Sequence, residues 1–179
     1  RQLARLVVHH DLHVCWTIIR TPRGDNRTVG LVSGTAPRSP FSMHDIHGRP
    51  TVAEVSLAAL RTNCRRAQGL VGAGVAVMAV VKADGYGHGA VAAARAFLDG
   101  GAVALGVSSV EEAVELRRGK VKAPIVVLGG AFPGQEKAVV EHDLATAVWA
   151  LDGARALGAA ARKAKRTVAV HLKLNTGMT

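Results

Sequence analysis

Five uninterrupted apolar runs, 75–82, 103–108, 124–129, 145–150 and 167–174, recur roughly every 20 to 27 residues, each pair separated by one helical pattern. A run such as "IVVLGG" is apolar at successive positions, as expected of a parallel strand covered on both faces. The stretches between them, "GHGAVAAARAFLDGG", "SVEEAVELRRGK", "PGQEKAVVEHD" and "LDGARALGAAARKAK", carry helical periodicity. Parallel neighbours need such crossovers, so the chain reads as a series of βα units. Two architectures use them, the eight-fold barrel and the doubly wound open sheet. The nucleotide fingerprint of the open sheet places its glycines after the first strand. Here "GAG" at 72–74 precedes the first run, which favours the barrel. The expectation is an α/β fold, the N-terminal part of a (β/α)8-type barrel. About five units fit, so the barrel is expected to be incomplete within this chain.

The regular pattern starts near residue 48. "TVAEVSLAALRTNCRRAQGLV" predicts a first helix capped by Ser56, with Leu57, Leu60 and Cys64 on one face. Ser108 or Ser109 is expected to cap a later helix with Glu111 and Glu112 in its first turn, and Gly100 and Gly119 stand at helix ends. Residues 1–47 read instead as a basic, irregular extension, either disordered or for the most part upstream of a natural start at Met43. They hold five of the eight histidines and turn-forming stretches such as "TPRGDNRTVG". His9 and His13 are four apart, but no zincin glutamate accompanies them, so no metal site is expected.

The formal net charge of +10 raises the question of an acidic partner. The basic residues are scattered, however, and the cluster Lys163 to Arg166 ends a helical pattern, where cations suit the last carbonyls. Aromatic residues make up only 3%, too few for a base-stacking platform, and no nucleic-acid partner is expected. Cys15 and Cys64 have no metal-ligand spacing and imply no disulfide framework. The apolar run from Gly69 to Val81 contains three glycines and is too short to span a bilayer. A cytoplasmic protein with no membrane association is expected.

The chemistry concentrates in "AVMAVVKADGYGHGAVAAA", residues 76–94. Lys82 ends the first strand, on the carboxyl face where barrel enzymes place their sites. Apolar walls would strip water from its amine, lower its pKa and favour attack on a carbonyl, as in a Schiff base with an aldehyde or pyridoxal phosphate. Gly85, Gly87 and Gly89 allow tight turning, and the Tyr86 hydroxyl could donate to a phosphate oxygen. The same residues are also consistent with a lysine that reaches outward to water beside a tyrosine covering the rim.

"AVVKADGYGHG" resembles the pyridoxal-phosphate lysine motif of the alanine racemase family, and "HLKLNTGMT" at 171–179 resembles its second motif. "RPTVAEVSLAAL" resembles the family's entry into its first helix, so the likeness runs from about Arg49 to Thr179. It implies that Lys82 holds pyridoxal 5'-phosphate covalently and then serves as one of two acid/base groups. It further implies that Tyr86 contacts the cofactor phosphate. Lys173 matches a family lysine that is often carboxylated and orients an arginine expected beyond Thr179. His88 is read as a support of the turn, and Asn175 stands where many relatives have aspartate.

The resemblance also implies a homodimer that interconverts L- and D-alanine for peptidoglycan. In that mechanism the second base is a tyrosine of a C-terminal β-domain of the partner subunit. Tyr86 is the one tyrosine here, so this segment alone is expected to be inactive. Three alternatives stay open: a related barrel decarboxylase, a non-catalytic carrier of pyridoxal phosphate, and an incomplete gene product. A preference for alanine over serine is not legible.

Overall fold

The structure, a computed structural model, describes residues 55–72 and 74–177. The expectations for residues 1–47, including His9, His13, Cys15 and Met43, lie outside the described residues, as does Thr179. In chain order the elements are α1 (Leu57–Val71), β1 (Met78–Val80), α2 (Lys82–Gly87), α3 (Ala90–Asp99), β2 (Ala104–Val107) and α4 (Val110–Arg118). They continue with β3 (Ile125–Val127), α5 (Glu136–Glu141), β4 (Ala145–Val148), α6 (Leu151–Lys163) and β5 (Val170–Leu172). All five expected strands are present, each shorter than its apolar run, because the ends of the runs turn into the βα loops.

The strands form one parallel sheet in the order β1-β2-β3-β4-β5. Every strand pairs with its predecessor, and no connection reverses direction. A doubly wound sheet would reverse at a switch point, whereas a barrel adds each unit to the same edge. The fold is therefore the open, N-terminal part of a barrel, as the alternating pattern predicts. The central strands are buried apart from the first residues of β2 and β4, with Ile125, Val126 and Val127 all inside. On β5, by contrast, Val170 and Leu172 are exposed, since that strand pairs on one side only within the described residues.

Ser56 begins α1 in extended backbone and accepts the Ala59 N–H at 3.2 Å. Leu60 and Cys64 of that helix are buried, but Leu57, expected beside them, is 40% exposed because it lies in the first turn, short of α3. Contact between α1 and α3 is close at Gly100, where an added Cβ would stand 2.7 Å from that of Cys64. Losing the cap should cost about 1 kcal/mol, so Ser56→Ala is expected to lower the urea midpoint slightly without changing the slope.

Helix α4 is held at both ends. Ser109 and Glu112 form a capping box at its start. The Glu111 carboxyl is kept below its usual range by backbone and Ser109 hydrogen bonds, with burial opposing and Gln135 adding to the effect. A lowered carboxyl stabilises the fold above its ordinary titration range, and that contribution fades as acid protonates it. At the other end Arg117 donates to four carbonyls, those of Val121, Ala123, His142 and Asp143, at 2.8–3.0 Å. Burial lowers its pKa and Asp143 works against that shift. Among the described residues no helix is long and apolar enough to cross a membrane.

Candidate functional site at the lysine turn

Beyond β1 the chain makes a turn that no apolar pattern announces. Val81 is buried and still donates its N–H to Gly106, so the strand is anchored up to the residue before Lys82. Ala83, Asp84, Gly85 and Tyr86 then all adopt left-handed backbone, with φ between 51° and 63°. Left-handed conformations cost L-residues about 1–2 kcal/mol each, so Ala83, Asp84 and Tyr86 together carry roughly 3–6 kcal/mol of strain. Gly85, Gly87 and Gly89 all take the positive φ expected of turning glycines, and three side-chain-bearing residues share the left-handed conformation with them. Such strain persists only where surrounding contacts over-determine it.

The restraints are visible. The Ala83 N–H donates to Glu112 Oε1 at 2.7 Å. Asp84 Oδ1 accepts the N–H of Ala90, the first residue of α3, at 2.6 Å, and the Asp84 carbonyl accepts from Gly89. His88 Nδ1 lies 2.9 Å from the Gly85 carbonyl and 3.1 Å from that of Tyr86. Carbonyls only accept, so Nδ1 carries the proton, in agreement with His88 as a support of the turn. Gly85 is where glycine is required: it is buried at φ 63°, and a Cβ there would meet Ala93 at 3.2 Å.

Lys82 emerges half-buried at the start of this turn, and Tyr86, 39% exposed, stands four residues on. An amine on a fixed turn, with a phenol hydroxyl open to an approaching group, is a donor set that fits an aldehyde bearing a phosphate. Lys173 follows β5, and its N–H donates to Val148 at 2.8 Å. Both lysines therefore lie on the carboxyl face of the sheet but beyond opposite edge strands. At about 4.8 Å per strand they are about 19 Å apart along the sheet. In an eight-stranded closure the first and fifth strands face each other across the mouth. Lys173 is exposed, with Nζ 5.8 Å from the Trp149 ring centroid. Asn175 Oδ1 accepts from Gly177. A cavity of about 460 Å³ also opens beside β4, lined by Phe132, Pro133, Trp149, Gly153 and Leu157 among others, with neither Lys82 nor Tyr86 in its wall.

Two contributors escaped the sequence reading. Asp84 was seen only as part of the motif, and Glu112 only as an acid in the first turn of α4. The capping signature marked Glu112 locally, but its bond to Ala83 spans 29 residues, beyond the reach of any short pattern.

The family profile described as "Alanine racemase, N-terminal domain" matches residues 55–179. A curated alanine racemase of Symbiobacterium thermophilum is 49% identical over 135 residues, covering 75% of this chain and 36% of that protein. One from Geobacter sulfurreducens is 44% identical over 130 residues, covering 73% and 34%. Among solved structures, alanine racemase from Streptomyces coelicolor A3(2) aligns with a TM-score of 0.65 and 38% identity, over 69% of this chain and 33% of that one. The chain thus spans about a third of the length of the relatives it matches.

Proposed function

Because this chain belongs to the alanine racemase family, whose N-terminal domain it carries, we propose that Lys82 anchors pyridoxal 5'-phosphate in a protein that interconverts L- and D-alanine. The supporting observation is the half-buried Lys82 at the carboxyl end of β1, beside a left-handed turn that carries Tyr86. Tyr86 donates its hydroxyl to the cofactor phosphate. Lys173, carboxylated, orients an arginine from elsewhere in the protein. When bound, the cofactor supplies an electron sink for the charge left when an α-proton departs. Lys82 moves that proton on one face of the amino acid, and racemisation requires a second base on the other. We assign the second base to a tyrosine of the partner subunit in a cytoplasmic homodimer whose D-alanine feeds peptidoglycan. Residues 48–179 belong to the cofactor-binding barrel, and residues 1–47 are an extension outside it.

The test is chiral chromatography of L-alanine incubated with the protein at the length of its relatives, saturated with pyridoxal phosphate. D-alanine should accumulate toward an equal mixture. Cofactor bound at Lys82 with no D-alanine formed would overturn the racemase reading in favour of a cofactor carrier.

A further inference from the structure

Glu112 does more than cap a helix. In an ordinary capping box the glutamate serves the N-cap backbone N–H. Here its two oxygens divide the work: Oε2 accepts from Ser108 at 2.7 Å and Ser109 at 3.4 Å, while Oε1 accepts from Ala83 at 2.7 Å. Ala83 follows Lys82 directly and opens the left-handed run. The other restraints, from Asp84 and His88, come from within the 84–90 segment, whereas Glu112 reaches the start of the turn from a different βα unit. One half-buried carboxylate thus ties the loop behind β1 to the loop behind β2.

We propose that Glu112 is a positioning residue for Lys82. By fixing the Ala83 peptide it sets the direction in which the lysine leaves the sheet, and so how readily its amine takes up pyridoxal phosphate. That uptake joins the amine nitrogen to the aldehyde carbon and releases one water. The proposal rests on Lys82 being the cofactor's anchor.

Two variants separate positioning from capping. Glu112→Gln keeps the size but offers one oxygen, which the two converging N–H groups of Ser108 and Ser109 retain, so its NH2 faces the Ala83 N–H and that bond is lost. Ser109→Ala removes the cap hydroxyl and leaves the bond to Ala83 intact. Each is titrated with pyridoxal phosphate by visible absorbance, borohydride-trapped adduct on Lys82 is counted by mass, and hydrogen exchange at the Ala83 amide is followed without cofactor. Glu112→Gln should weaken uptake about tenfold and speed Ala83 exchange by a similar factor, while Ser109→Ala changes both by less than about twofold. Unchanged Ala83 exchange in Glu112→Gln, or equal losses of uptake in the two variants, would overturn the assignment. If the unsubstituted protein takes up no pyridoxal phosphate, the cofactor reading fails first. The exchange rates still show whether Glu112 holds the turn.

Discussion

Replacing Lys82 with alanine is expected to abolish covalent uptake of pyridoxal phosphate and to lower L-to-D alanine conversion by about 10³-fold or more. The lysine is the nucleophile of the proposed site and one of its two proton carriers, so a single change removes both roles. Lys82→Arg separates charge from reactivity. A guanidinium stays protonated at any accessible pH and cannot condense with an aldehyde. The arginine variant should therefore fail at covalent uptake as completely as the alanine variant, although it keeps the cation. Neither change should alter thermal stability much, because the side chain is only half-buried and the turn is held by its neighbours. Borohydride trapping followed by peptide mass mapping reads the result. A trapped adduct that persists in Lys82→Ala would place the anchor elsewhere and remove the basis of the functional reading.

The second large effect concerns folding. Arg117 satisfies four carbonyls around the end of α4 and the loops before β3 and β4. Truncation strands those acceptors in a partly buried setting, and each loss costs on the order of 1 kcal/mol or more. Water can reach some of them, so Arg117→Ala should destabilise by about 3 kcal/mol and lower the melting temperature by about 10 °C. Lysine has a single ammonium on a flexible stem and cannot span the same carbonyls. Arg117→Lys is accordingly expected to recover less than half of the loss. Equal stability of the alanine variant and the parent in urea unfolding would show that the carbonyls are solvated without the arginine.

The architecture was legible because it rests on burial. Ile125 to Val127 are apolar at every position since both faces of β3 are covered, and that pattern survives in a single sequence. Ser56, Ser109, Gly100 and Gly119 were legible because caps act within one turn of chain. Strand ends were overextended: Lys82 and Gly129 stand at the ends of the runs but lie beyond β1 and β3. The identity of the anchor motif could be read from "KADGYGHG", yet its shape could not. Nothing in Ala83 and Tyr86 favours left-handed backbone, and Asp84 only tolerates it more readily than they do. They adopt it because Glu112, Ala90 and His88 hold them there, and one of those bonds, from Ala83 to Glu112, joins elements that only the folded sheet brings together. Leu57 was misplaced for a related reason, as helical spacing sets a face but not how far a neighbour extends along it.

The sequential strand order bears on how such a chain is made. Each strand docks on the one translated just before it, so every pairing in the sheet closes a short, local loop of chain. Growth can follow the ribosome from the N-terminal side, one unit at a time. The clasp between Ala83 and Glu112 joins only the first two units. With Glu112 in the proposed positioning role, the lysine's bearing can be set before the strand that leads to residue 173 has been synthesised.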